Sequence, residues 1–260
     1  MGLAGDVTGS VAVVTGATRG IGLAIANRLA AAGWRLCITG RDPDALETAR
    51  SALAEHTDVV AVAADVGRQD DVARTVAAAE QLGQVTALVN NAAARGPTLP
   101  LHEIDAAQFA EVLTTNLLGP FLMAKQVLTT MVERRHGSIV NIGSIAGVEA
   151  YPLRSPYCAS KWGLVGLTRT LAAEYGQHGI RVNLVAPGPT SGEGADGVIA
   201  KRAAALGRDV EELKAEYAGD IPLRRFVTAD ETAAAVAFLL SDDASGITGQ
   251  SLCVSGGIEV

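Results

Sequence analysis

The chain has no run of about 20 predominantly apolar residues, the length that a bilayer-spanning helix needs, so a membrane protein is not expected. It has only four lysines, and its formal net charge of −7 makes nucleic acid a poor partner. Cysteine is scarce: Cys37, Cys158 and Cys253 are odd in number and lack Cys-x-x-Cys spacing, which fits reduced thiols better than a disulfide framework. The histidines His56, His102, His136 and His178 stand apart, so no metal-ligand spacing emerges. Met1-Gly2-Leu3-Ala4-Gly5-Asp6 has no basic stretch leading into an apolar one, and Asp6 falls where a myristoylation pattern needs Ser or Thr. The expected location is therefore cytoplasmic. Aromatic residues make up only 4% of the 260, yet 48% are hydrophobic. A core of Ala, Val, Leu and Ile follows, which excludes disorder as the dominant state.

What is there is a rhythm. Short runs rich in Val and Ile at 10–15, 35–39, 59–63, 87–89, 138–142, 181–185 and 251–254 read as strands buried on both faces. Stretches with helical spacing lie between them at 21–32, 43–55, 70–82, 106–133, 156–176 and 230–240. Alternation of this kind predicts an α/β fold, a single Rossmann-type doubly wound parallel sheet of about seven strands with helices on both faces. No linker or repeat divides the chain, so 1–260 is expected to be one dinucleotide-binding and catalytic domain. The exception is 188–223, which opens with Pro-Gly-Pro-Thr-Ser-Gly-Glu-Gly and continues as short helices over 198–217. An excursion of that length is expected to be a substrate lid, with a plain insertion as the alternative.

The sequence Thr15-Gly16-Ala17-Thr18-Arg19-Gly20-Ile21-Gly22 follows the first strand and opens the first helix. Glycines there let the backbone turn and approach a pyrophosphate, while the helix N-terminus offers free N–H groups and a positive dipole end. The second strand ends at Thr39-Gly40-Arg41, without the acid that binds the ribose hydroxyl of NAD in many such folds. Arg19 and Arg41 are suited to a 2′-phosphate, so NADP(H) is the expected cofactor. Asp42, one residue late, keeps NAD(H) as the alternative.

Tyr157 and Lys161 are four residues apart in a predicted helix and so share a face. An ordinary phenol titrates near pH ~10, and a neighbouring ammonium favours the phenolate. Lys161 is therefore expected to pull the Tyr157 pKa down. Ser144, at a strand end, is placed to hydrogen-bond a substrate carbonyl. By itself a Tyr-x-x-x-Lys pair is common and usually just a helix-surface pair. Arg154, between Pro152 and Pro156, is expected to face solvent or a neighbouring subunit, as most arginines do. Turned inward, it would grip an anionic group.

Taken together, Thr15-Gly-x-x-x-Gly-Ile-Gly22, Asn90-Asn91-Ala92, Asn116, Ser144, Tyr157-x-x-x-Lys161, Pro187-Gly188 and Thr248-Gly249-Gln250 resemble the short-chain dehydrogenase/reductase family. Within it, 131–147 is most similar to 3-oxoacyl-carrier-protein reductases and polyketide ketoreductases. The resemblance implies a catalytic tetrad of Asn116, Ser144, Tyr157 and Lys161. It implies cofactor contacts from Gly16, Thr18, Arg19, Gly20, Ile21, Gly22 and Arg41, from Asp65 and Val66 at the adenine, and from Asn91, Tyr157 and Lys161 at the ribose. Pro187, Gly188 and Thr190 are implied near the nicotinamide. The implied activity is NADP(H)-dependent interconversion of a ketone and a secondary alcohol, with no metal. Alternatives are a 3-oxoacyl-thioester reductase specifically, a lyase or epimerase, or a non-catalytic nucleotide-sensing regulator. A small-molecule substrate and a homotetramer or homodimer are implied as partners. Acyl-carrier docking has half its support: Arg134 and Arg135 match the basic end that docks a carrier, but the further arginine is Ala173 here, and the pair also suits a helix C-terminus. The chain departs from the family at Ala93 for Gly, Gly143 for the first Ser of a pair, and Ser255 for Asp; Ala93 is expected to crowd its turn.

Overall fold

The computed structural model describes residues 9–258, so the N-terminal stretch Met1–Asp6 discussed above lies outside the described residues. The apolar runs become β1 (Ser10–Thr15), β2 (Arg35–Gly40), β3 (Val59–Ala63), β4 (Gln84–Asn90), β5 (Gly137–Ile142), β6 (Ile180–Pro187) and β7 (Ser251–Val254). All pair in parallel, in the order β3-β2-β1-β4-β5-β6-β7. The order reverses between β1 and β4, and in open α/β sheets ligands bind in the crevice at the strand C-termini at such a point.

The helices are α1 (Gly20–Ala31), α2 (Pro43–Leu53), α3 (Gln69–Leu82), α4 (Ala106–Leu113), α5 (Gly119–Arg134), α6 (Ser155–Tyr175), α7 (Glu193–Leu206), α8 (Val210–Asp220) and α9 (Ala229–Leu240). On one face of the sheet, Ile25 and Leu29 of α1 and Val236 and Leu239 of α9 bury against Val14, Ile38 and Val140. On the other, Val72 and Val76 of α3, Met123 and Met131 of α5 and Leu171 of α6 bury against Val13, Leu88 and Ile139. Strands covered on both sides must be apolar throughout, which is why they read as continuous runs rather than alternations.

Polar side chains fix the strand ends that form the crevice floor. The Asn90 amide donates to Asn141 Oδ1 at 2.8 Å, and the Asn141 amide donates to the Thr168 hydroxyl at 2.9 Å, tying β4, β5 and α6 together. Each is buried, so each needs its partner. Within the helical stretch 106–133 a π-helical segment, Thr114–Leu118, separates α4 from α5. Pro120 has no N–H for the Asn116 carbonyl, and the Gly119 N–H donates five residues back to Thr114 instead. The 188–223 excursion forms α7 and α8, whose Ile199, Ala203 and Leu213 make a small core with Tyr217 and Phe226.

Candidate active site

At the nucleotide end the wall is main chain. Gly16 and Gly20 have φ of +66° and +56°, which L-residues with side chains rarely adopt. A Cβ on Gly22 would collide with the Gly16 carbonyl, its carbon at 2.9 Å, and with the Asn91 amide nitrogen. That amide donates to the Thr15 and Gly16 carbonyls at 2.9 and 3.0 Å, so Asn91 fastens the turn to β4. Thr15 adds to the joint, its hydroxyl accepting from the Asn91 and Ala92 N–H groups. The first turn of α1 has no side-chain cap and no acid, and nothing lies within 4 Å of the Cβ position at Gly20. Uncapped N–H groups at an open helix N-terminus fit the pyrophosphate of a dinucleotide.

The second strand meets this turn directly. Ala17 N–H donates to the Thr39 carbonyl at 3.0 Å, and a Cβ on Gly40 would lie 2.6 Å from Thr18 Cγ2. Thr18 and Gly40 are therefore in contact, and Arg19 and Arg41 flank that contact, both exposed. Among the described residues neither makes an ion pair. Asp42, the late acid, caps α2: its carboxylate accepts from the Asp44 and Ala45 N–H groups at 3.0 and 3.2 Å. Beyond β3, Asp65 accepts from the Gly67 N–H at 2.9 Å, and Val66 is buried against Gly119. Ile21 packs half-buried on the core.

Further along the crevice Ser144, Tyr157 and Lys161 lie together, and Asn116 is tied to the helix that carries the last two. The Tyr157 phenol hydrogen-bonds Ser144, whose hydroxyl also accepts from the Ala146 N–H at 3.2 Å. Lys161 is buried; its Nζ donates to the Ile142 carbonyl at 2.7 Å and stands 5.6 Å from the Tyr157 ring centroid. Asn116 is buried in the π segment, where its Oδ1 accepts from the Ala94 N–H at 2.7 Å. Its Nδ2 donates to the Ala94 carbonyl at 2.9 Å and the Ser160 hydroxyl at 3.0 Å. Ser160 in turn donates to the Tyr157 carbonyl at 2.7 Å, so Asn116 is fixed to the helix that carries Tyr157 and Lys161. Pro187 ends β6; Gly188 N–H donates to Val254, and the Thr190 hydroxyl donates back to Gly188.

Two expectations are corrected here. The Tyr157 pKa moves up rather than down: burial of the phenol outweighs the lowering by Ser144, Arg154 and Arg95. Lys161 is itself pulled down by burial, to about 8. Arg154 does not face outward. It is 3% exposed, its guanidinium carbon lies 4.7 Å from the Tyr157 ring centroid, and Nη2 donates to the Arg95 carbonyl at 2.9 Å.

The departures have local reasons. Ala93 is exposed and does not have a positive φ, so its methyl crowds nothing. A Cβ on Gly143 would lie 2.5 Å from Leu184 Cδ2, which excludes a serine there as β6 is packed. Ser255 is buried and donates to the Ile258 carbonyl at 3.3 Å. Arg134 pairs with Glu80 of α3 at 2.9 Å and Arg135 donates to the Gln177 carbonyl at 2.7 Å, so both engage their own chain at the end of α5. Among the described residues no three His, Cys, Asp or Glu side chains gather as a metal site requires, and no helix is long and apolar enough to cross a membrane.

Reading the sequence alone missed Arg95 and Arg202. Arg95 sits on the loop after β4 and Arg202 on α7, and neither has a motif to mark it.

A family model described as enoyl-(acyl carrier protein) reductase matches residues 16–259. The 2-(S)-hydroxypropyl-CoM dehydrogenase 3 of Xanthobacter autotrophicus is 38% identical over 251 residues, 95% of this chain and 96% of that one. The crystal structure of NAD+-bound xylitol dehydrogenase superposes with a TM-score of 0.94 at 33% identity, over 97% of this chain and 100% of the other. An actinorhodin polyketide ketoreductase variant solved with NADPH has a TM-score of 0.91 at 37% identity and covers 98% of each chain.

Proposed function

Because this chain belongs to the short-chain dehydrogenase/reductase family and is an oxidoreductase, we propose that it interconverts a ketone and a secondary alcohol with NADP(H), through Tyr157 as acid and base. The observation that carries the reading is the Tyr157 phenol held on Ser144 beside buried Lys161, across the crevice from an uncapped helix N-terminus. A bound nicotinamide dinucleotide supplies the hydride for the carbonyl carbon. Gly16, Gly20 and Gly22 would hold its pyrophosphate with main-chain N–H groups, and Pro187, Gly188 and Thr190 would line the nicotinamide end. Ser144 orients the carbonyl oxygen and Tyr157 protonates it as general acid. The raised Tyr157 pKa suits that role, since it keeps the proton on the phenol at neutral pH. Lys161 brings positive charge to the site, and Asn116, with its amide fully engaged, leaves its main-chain carbonyl to anchor the water that returns the proton.

Preference for NADP(H) is supported by Arg19 and Arg41 standing exposed on either side of the Thr18–Gly40 contact, and by the engagement of Asp42 as a helix cap. The 188–223 segment is read as the substrate lid, supported by its own small core. A homo-oligomer built on α6 is supported by exposed Trp162, with Phe121 and Leu118 exposed on α5 and just before it, and by open space at Gly166, whereas Gly163 packs on Leu117 of its own chain. Interior glycine costs about 1 kcal/mol against alanine, which a close backbone approach explains. Sedimentation velocity at micromolar protein is expected to give a dimer or tetramer.

The direct test is a panel of ketones and alcohols with NADPH and NADH, followed spectrophotometrically. Turnover faster with NADPH supports the whole reading. Faster turnover with NADH removes the cofactor preference alone, and no turnover with any pair returns the weight to a nucleotide-sensing regulator.

A further inference from the structure

Three guanidinium groups stand along the substrate end of the crevice, and among the described residues none is in an ion pair. Arg154 lies on the catalytic tyrosine, 4.7 Å from its ring centroid, and its Nε is buried with no hydrogen-bond partner. Arg202, on α7, stacks 4.7 Å from the Tyr151 ring centroid and 5.7 Å from that of Tyr217. Its Nε and Nη1 are likewise buried without a partner. Arg95 reaches from the loop after β4 onto α7, where its Nη2 occupies the space a Cβ on Gly194 would need.

This arrangement is costly as it stands. Arginine stays charged, and a buried charge is normally paired and hydrogen-bonded. Here burial and the Arg95 charge both act against the charged form of Arg154, and only tyrosines and Cys158 act for it. Stacking on ring faces satisfies the flat sides of a guanidinium and leaves its N–H edge for a ligand. An edge of parallel N–H donors matches two oxygens of one anion.

We propose that Arg154 and Arg202, with Arg95 and the Tyr217 hydroxyl beside them, form an anion-recognition subsite, and that the substrate is a ketone or secondary alcohol bearing a carboxylate, sulfonate or phosphate group. The substrate half of this statement rests on the carbonyl-reduction reading above; the anion subsite does not. The reacting carbon sits at Tyr157 and Ser144, and the charged end of the same molecule reaches under α7. Because Arg202 belongs to the 188–223 segment, the anion ties that segment to the α6 wall as it binds.

The test pairs acids with their esters. Wild-type enzyme is assayed with 4-oxopentanoate, 5-oxohexanoate and their methyl esters, and with the sulfonate and phosphate counterparts, which together separate the three head groups. The expected result is a preference for an anion over its ester of about ten-fold or more in kcat/KM, carried by KM, which Arg202→Gln reduces by a similar factor. Arg202→Lys is expected to restore part of it. Thermal melting checks folding, and Arg95→Gln, at an exposed position, serves if Arg202→Gln does not fold. Independently of turnover, calorimetry with propane-1-sulfonate and butyrate is expected to show binding to wild-type protein that weakens in the same variants. Anion binding without turnover of any of these ketones would sink the reading of the substrate as an anionic ketone and leave the subsite standing. Esters used as well as acids, with no calorimetric binding that depends on Arg202 or Arg95, would overturn the subsite.

Discussion

At the proposed nucleotide end of the crevice the protein presents main chain: Gly16, Gly20 and Gly22 leave no side chain over the first turn of α1, and Asn91 locks that turn to β4. At the substrate end it presents side chains: Tyr157, Arg154 and Arg202 converge from α6, the loop before it, and α7. Main-chain recognition needs only an absence of Cβ atoms at fixed spacing, so it serves any dinucleotide and any enzyme that uses one. Side-chain recognition depends on which charge stands where, so it distinguishes one substrate from another. The difference also explains where a mutation acts: on the glycine side it distorts backbone, and on the arginine side it removes a contact.

Substitutions can break the two ends apart. Tyr157→Phe removes the proposed proton donor and is expected to lower kcat for ketone reduction by about 10²–10⁴, the range for losing a general acid. Dinucleotide binding, followed by fluorescence quenching, is expected to persist. Loss of both together would show that Tyr157 organises the nucleotide end as well.

Lys161 gives a pH signature. Its folded pKa, about 8, is below the ordinary 10.5, so between these values the unfolded chain binds a proton that the folded chain does not. Stability from this group therefore rises with pH across that window, and the penalty of burying the ammonium is fully present below it. Urea titrations of wild type against Lys161→Met are expected to move in favour of wild type by about 3 kcal/mol from pH 7.5 to 10.5, on the scale of one pKa unit per ~1.4 kcal/mol. A difference that stays flat across the window would mean that Lys161 keeps its proton, which its contact with the Ile142 carbonyl would favour.

Gly22→Ala tests the main-chain end. The new Cβ meets the Gly16 carbonyl and the Asn91 amide, so overpacking of about 1–3 kcal/mol is expected. Affinity for NADPH and NADH should fall together. A loss for one cofactor alone would contradict a shared main-chain cradle. Arg41→Ala carries the smallest expected effect, since the group is exposed and water screens it: NADPH affinity falls about ten-fold while NADH affinity holds. Equal affinity for both cofactors in wild type would end that prediction.

The sequence by itself determined the sheet and the glycine turn, for local reasons, and it set Tyr157 and Lys161 on one helix face, while the proposed tetrad came from the family resemblance. Strands buried on both faces must be continuous apolar runs, glycines at fixed spacing mark where a Cβ cannot fit, and Tyr157 and Lys161 need only a helix to share a face. Element ends moved by one to three residues at most places. The interruption of the helical stretch 106–133 at Thr114–Leu118 also has a local cause, since Pro120 leaves the Asn116 carbonyl without its helical donor. What only the tertiary structure decided are the properties that depend on neighbours distant in the chain. Burial sets the Tyr157 pKa against the expected pull of Lys161, and no spacing reports burial. Arg154 turned inward because the Tyr157 ring and the Arg95 carbonyl stand where it can reach them. Arg95, Arg154 and Arg202 are scattered over more than a hundred positions, and only the fold sets Arg154 on Tyr157, Arg202 on Tyr151 and Arg95 against α7.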